Sequence, residues 1–288
     1  MSSPSPDLTA RIARLFVYPV KSCAGIELTE SILTETGLDL DRAWMVVDEQ
    51  GEFVTQRELP RMALVRPQLK HSEVVLRAPG MLALHLAVDA VERAIQVRLW
   101  DEAVPAFDMG EVAAQWFTDF LGRKLRLVRF DPEHRRLSSR EWTGEVEVPN
   151  QFSDGFPLLV LGEPSLDELN GRLAAAGHAP VGIERFRPNI VLAGLEAHDE
   201  DRVDILHIAA EGGEVRLRPV KPCPRCPIPN VDPATARIDP QVSDVLQGYR
   251  KNDRLGGAVT FGMNAIVLEG AERTLRVGQR VTAGWGFQ

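Results

Sequence analysis

Apolar and polar positions along this chain change over in short bursts, with few long helical periods. Residues 12–18 are apolar except at Arg14 and rich in β-branched and aromatic types, which predicts a strand buried on most of both faces. The run is too short for periodicity alone to exclude a helix. The chain turns at Pro19 and resumes as strand through Ile26–Leu28, 31–33 and Trp44–Val47. Residues 48–51, Asp-Glu-Gln-Gly, close a hairpin from which 53–55 return.

The middle has a different rhythm. Short strands are predicted at 74–77, 82–86 and 95–99, followed by a helix over Glu111–Leu121. Val112, Trp116, Phe117 and Phe120 recur there at helical spacing, and Gly122 supplies the stop. Residues 126–130 return to strand, so 58–132 read as an α/β subdomain. Beyond it come a buried strand at 157–161 and a helix at 165–177, with Ser165 and Glu168 as a capping box and Gly177 as its C-terminal cap. The remainder is strand-rich, at 190–192, 204–208, 215–218, 265–268 and 276–281, and its glycine and proline punctuation favours a barrel or sandwich. There is no internal repeat and no low-complexity linker, so the parts are expected to pack closely.

Composition narrows the function classes. The 288 residues carry a net charge of −8, which disfavours nucleic acid and anionic membrane as partners. An anionic ligand must therefore be drawn in by a local basic cluster. No run reaches the ~18 apolar residues that a membrane helix needs. The opening MSSPSPDLTA has no basic start and no apolar stretch, so it reads as a short disordered lead-in and not as a secretory signal. With three cysteines in a chain expected to be cytoplasmic, Cys23, Cys223 and Cys226 are free thiols or metal ligands.

The stretch from Arg218 to Pro233 has an unusual composition. Five prolines between Pro219 and Pro229 rule out a helix or a central strand, which leaves a stiff loop holding Cys223 and Cys226 at its surface. Lys221 and Arg225 stand beside them, and positive charge favours a thiolate at either cysteine. Three chemistries fit: a metal–thiolate bond to a cofactor, which needs one cysteine; zinc, which lacks a second CxxC or a close histidine pair; and a redox dithiol, for which Pro227 and Pro229 leave little room to start the usual helix. A merely packed cysteine remains open, above all at Cys223. Common nucleotide and hydrolase motifs are absent: no Walker loop, no dinucleotide fingerprint, no G-x-S-x-G and no H-E-x-x-H. The tryptophans 44, 100, 116 and 142 read as core packing or pocket walls, and no histidine stands out as a catalyst.

Several ordered motifs together resemble the MOSC superfamily with its N-terminal MOSC partner region. They are Tyr18-Pro-Val-Lys-Ser-Cys-Ala-Gly25, Asp41-Arg42-Ala-Trp44, Arg185-Phe-Arg-Pro-Asn-Ile190, Cys223-Pro-Arg-Cys226 and Val231-Asp-Pro-Ala-Thr235. The resemblance runs from about Arg11 to Val281 and is nearest to the amidoxime-reducing components and their bacterial counterparts. It implies an α+β fold, a β-barrel-like MOSC domain with an inserted or packed α/β subdomain. Residues 11–57 would add strands to the barrel, 58–132 would form the N-terminal subdomain, and 133–288 the barrel that carries the cofactor cysteine.

The same resemblance makes Cys226 the molybdenum ligand and catalytic residue. It assigns the molybdopterin form of the molybdenum cofactor to Lys21, Ser22, Arg42, Arg187, Asn189 and Arg225, with further contacts at Gly155 and Phe156. Guanidinium forks and a lysine suit a phosphate, and serine and asparagine suit a pterin's polar edge. Singly, each of these side chains could equally be a solvated charge or a structural ion pair. The implied activity is the two-electron reduction of N-hydroxylated substrates. Three cysteines are too few for an iron–sulfur module, so electrons are expected from a separate ferredoxin-like or flavin-containing protein. The competing expectation is a non-catalytic carrier of the cofactor or its sulfur.

Overall fold

The computed structural model describes residues 7–286. Seven strands close on one another as a barrel: β1 (Leu8–Val17), β2 (Leu158–Gly162), β3 (Ile190–Ala193), β4 (Val203–Ala210), β5 (Gly213–Pro224), β6 (Ala258–Glu269) and β7 (Arg280–Trp285). Their order around the wall is β2-β3-β1-β7-β4-β5-β6, and β6 pairs back onto β2. The barrel, with few helices, gives the α+β fold expected from the sequence. Ile12, Leu15, Val160, Leu192, Ile208, Leu217 and Val281 fill its interior. Each such side chain, once fully buried, contributes about 1.5–3 kcal/mol.

All pairings are antiparallel except β2 with β3. That parallel pair needs a crossover, supplied by the helix Glu163–Ala175. The helix buries Leu169 and Leu173 on the outer wall against Phe16, Leu161 and Val191, beside Val242 and Leu246 of the short helix Gln241–Gln247.

Between β1 and β2 the chain builds a second body. Trp44–Val47, Arg126–Phe130, Glu102–Asp108 and Arg93–Leu99 form a four-stranded antiparallel sheet. Arg66–Leu69, Glu73–Arg77 and Leu84–Ala87 form a three-stranded one. Helix Glu111–Leu121 joins their core through Phe117 and Phe120, packed with Val46, Val74, Leu76 and Leu127. Its left-handed C-cap is Gly122, the position the sequence marks as its stop.

Five expectations need correcting. Leu8–Ala10 belong to β1, so the disordered lead-in does not extend over them; residues 1–6 lie outside the described residues. Ser165 does not cap its helix: Gly162 is the N-cap, and the Ser165 hydroxyl donates instead to the buried Glu200 carboxylate at 2.7 Å. Residues 276–281 are two strands, because Gly278 turns the chain at φ +90°. Trp100 is 40% exposed and so is not a core residue. Finally, the proline-rich stretch is not a loop before Pro224. It is the end of β5, which pairs with β4 only as far as Leu217 and beyond that with β6 alone. Pro219, Pro222 and Pro224 lie where one edge is free, and the ladder to β6 shifts register at each of them, so few amide donors are missed. Among the described residues no helix is long and apolar enough to cross a membrane.

Candidate functional site

Where the barrel's end meets the N-terminal body, a cavity of about 230 Å³ opens. Every site residue proposed from the sequence lines it: Lys21, Ser22, Arg42, Gly155, Phe156, Arg187, Asn189, Arg225 and Cys226. They come from five separate parts of the chain, and local folding explains how each arrives.

After β1 the backbone turns sharply, with Lys21 N bonded to Trp44 O at 2.8 Å, and presents Lys21 and Ser22. Arg42 N donates to Tyr18 O at 2.8 Å, which sets the second turn against the first. Asn189 continues the ladder between β2 and β1: its N–H donates to Leu159 O at 2.8 Å and its Oδ1 accepts from Leu159 N at 3.1 Å. Arg225 N donates to Val259 O at 2.8 Å, so the cysteine segment stays tied to β6. Ser22, Arg42 and Arg187 have φ of +64°, +52° and +58°. A left-handed backbone is costly for residues with a Cβ, and such conformations cluster where side-chain direction matters.

The charges are concentrated. Lys21, Arg42, Arg57, Arg187, Lys221 and Arg225 line the cavity against one acid, Asp154. Lys21 is buried and donates to Asp154 Oδ1 at 2.6 Å and to Phe152 O at 2.7 Å. Burial pulls its ammonium below the ordinary lysine range, with Asp154 opposing. Loss of water to the surrounding cavity walls would raise the Asp154 carboxyl, exposed though its side chain is, but the Lys21 ammonium, with Arg57 and Arg42, outweighs this and holds the carboxyl at about 2. Arg42 bonds to Asp41 and reaches Asn189 Oδ1 at 3.1 Å.

Arg187 and Arg42 both pack on the ring of the buried Tyr18, with guanidinium carbons 4.2 and 4.5 Å from its centroid. Burial, then the nearby Arg42, lowers the Arg187 guanidinium to about 10. Arg187 Nη2, Arg225 Nε and Tyr18 Oη are buried without a hydrogen-bond partner. Donors left open beside like charges are costly, and an anion in the cavity relieves that cost.

Both thiols of the Cys-x-x-Cys pair are half-buried and line the cavity. Arg225 Nη1 donates to Cys223 Sγ at 3.1 Å and its Nη2 to Phe186 O at 2.9 Å. Its guanidinium therefore serves Cys223, and no bond to Cys226 is formed. Cys23 stands apart: it is fully buried outside the cavity lining, and burial pushes its thiol up to about 12. Among the described residues no three His, Cys, Asp or Glu side chains converge as a metal cluster. A metal at Cys226 must then bring most of its ligands with it. The sequence did not single out Thr55, Arg57, Ser153, Asp154 or Asn264, which also line the cavity. None of them sits in a motif with its own chemical signature.

Comparison with known proteins identifies the family. Residues 9–124 match the MOSC N-terminal beta barrel domain, and residues 147–282 the MOSC domain. The chain is 35% identical over 254 residues to mitochondrial amidoxime reducing component 2 of Rattus norvegicus, covering 84% of this chain and 73% of that one. It is 34% identical over 286 residues to mitochondrial amidoxime-reducing component 1 of Homo sapiens, covering 94% and 82%. Molybdenum cofactor sulfurase of Bos taurus is 27% identical over 278 residues, which is 90% of this chain and 30% of that protein. The chain belongs to the MOSC-domain family of the amidoxime reducing components.

Proposed function

We propose that this protein is a molybdenum-cofactor oxidoreductase that reduces N-hydroxylated substrates by two electrons. The observation that carries the reading is the convergence of a free Cys226 thiol, unpartnered guanidinium nitrogens and an excess of cations on one small cavity. That donor set fits the molybdopterin form of the cofactor, which joins a phosphate to a soft dithiolene-bound metal. Cys226 would supply the protein's thiolate to molybdenum. Arg42 and Arg187 would take the phosphate, Lys21 and Arg225 add positive charge, and Ser22 and Asn189 offer polar contacts to the pterin. Gly155 and Phe156 complete the wall, and a Cβ at Gly155 would meet nothing within 4 Å, so that side is open.

When bound there, the reduced cofactor would supply the two electrons that, with two protons, convert a hydroxylamine or amidoxime into an amine or amidine and water. The chain's own residues hold and orient the cofactor, and the left-handed turns at Ser22, Arg42 and Arg187 fix its contacts before it binds. Electrons come from a separate ferredoxin-like or flavin-containing protein. We place the protein in the cytoplasm, where its free thiols stay reduced.

Similarity to the sulfurase favours one other reading, a carrier of the cofactor or its sulfur. Protein expressed with molybdate separates the two. A reductase contains molybdenum near one per chain and converts benzamidoxime to benzamidine with a viologen donor, and Cys226→Ala abolishes both. Metal retained without turnover supports the carrier, and zinc in its place defeats both readings.

A further inference from the structure

Lys221 differs from the other lining cations in its partners. Lys21 is held by Asp154 and Phe152 O, Arg42 by Asp41 and Asn189, and Arg225 by Cys223 Sγ and Phe186 O. Arg57 is bonded to Thr55 Oγ1 at 3.1 Å and stacked over Trp100 at 4.7 Å. Among the described residues Lys221 makes no ion pair and no hydrogen bond through its side chain. Its neighbours are rings: Nζ is 5.0 Å from the Trp142 centroid and 6.0 Å from that of Phe156.

Its position on β5 puts this unpaired cation beside the reacting end of the cavity. Lys221 and Cys223 are two residues apart on one strand. Both line the cavity with Cys226. The phosphate-binding assignment rests on Arg42 and Arg187, which are joined to each other through Arg42 Nη2 and Arg187 O at 3.2 Å. Lys221 is not part of that network. An ammonium flanked by aromatic faces, with no carboxylate to neutralise it, suits a planar ring that carries a negative group. Against a net charge of −8 for the whole chain, such a local cation attracts anionic solutes to its own side of the cavity.

We infer that Lys221 is a specificity-determining residue that selects planar N-hydroxylated substrates bearing a carboxylate or similar anionic substituent. The inference rests on the reductase reading for its substrate class.

The test compares benzamidoxime with 4-carboxybenzamidoxime, using molybdenum-loaded protein and a viologen donor. Wild type is expected to favour the carboxylate about tenfold in kcat/KM, through KM, with the preference shrinking as salt is raised. Lys221→Met should bring the ratio near one. Lys221→Glu should invert it in favour of 4-(aminomethyl)benzamidoxime, which a merely structural lysine would not do. Titration calorimetry of the oxidised protein with 4-carboxybenzamidoxime gives a second readout, with the dissociation constant rising about tenfold in Lys221→Met. A wild-type ratio near one, or a preference and affinity that Lys221→Met keeps, overturns the inference while reduction itself upholds the reductase reading. Lys221-dependent binding without any turnover would overturn the reductase reading and leave the anion subsite standing.

Discussion

Arg42 donates through Nη2 to the backbone carbonyl of Arg187 at 3.2 Å, which ties two turns 145 residues apart in the sequence. The same guanidinium bonds to Asp41 and to Asn189 Oδ1. One planar fork thus fixes the corner of the cavity where we propose that the cofactor's phosphate binds. A lysine has no such fork, so Arg42→Lys should fold but lower cofactor content severalfold. Molybdenum per chain after gel filtration measures it, and full occupancy in the variant would show that the fork is dispensable.

Tyr18 contacts the two guanidinium groups through its ring, and its hydroxyl has no partner. Tyr18→Phe should therefore leave stability within about 0.5 kcal/mol. Tyr18→Ala should cost about 3–5 kcal/mol, as an emptied aromatic site does. Urea unfolding of the two variants checks this, and a large loss in Tyr18→Phe would mean the hydroxyl is in use.

The two thiols should behave differently. Cys226→Ser is expected to lose molybdenum and activity together. Cys223→Ser keeps an acceptor for Arg225 at the same place and should retain the metal. Elemental analysis of both proteins decides the matter, and metal lost from Cys223→Ser would move the ligand assignment.

Glu200 gives the fold a pH dependence. It is fully buried at the barrel wall, and burial raises its carboxyl to about 7, with Ser165 opposing. The folded state therefore keeps a proton that the unfolded chain releases near its ordinary value of 4.5. Stability should fall as pH rises from about 4.5 to about 7 and then level off, by about 1–3 kcal/mol in all. Glu200→Gln should remove that decline, and chemical denaturation at pH 5 and pH 8 would reveal it. Parallel curves for variant and wild type would refute the assignment.

Asp154 acts with the opposite sign. Its carboxyl, held at about 2 beside Lys21, contributes stability above the unfolded carboxylate range that is lost as pH falls toward 2. Its side chain is 67% exposed, so screening by water limits the contribution to about 1 kcal/mol. Asp154→Asn should cost that amount at pH 7 and nothing near pH 2, as acid titration of the folded fraction would show.

Local signals in the chain were readable where local physics decides the outcome. Helix Glu111–Leu121 and strand Trp44–Val47 fall where periodicity and turn residues put them. Ser165 looked like a helix cap because its true partner, Glu200, is 35 residues away. Prolines suggested a loop at 219–224 because the sequence does not show that β4 has ended by then. Within the cavity, the residues proposed from the ordered motifs came together. Arg57, Asp154 and Asn264 went unmarked, since an isolated charge or amide gains meaning only from its neighbours in space. The isolation of Lys221 is likewise a property of what surrounds it.

Strand β5 carries its cysteine end on a hairpin that runs the height of the barrel, tied by β4 at one end and by β6 throughout. Amides at Cys223 and Arg225 should accordingly exchange with deuterium far more slowly than those of a surface loop. Loading would then be a late event, a prosthetic group docking into a finished receptacle, and apo-protein stored without it should keep its shape and accept it afterwards.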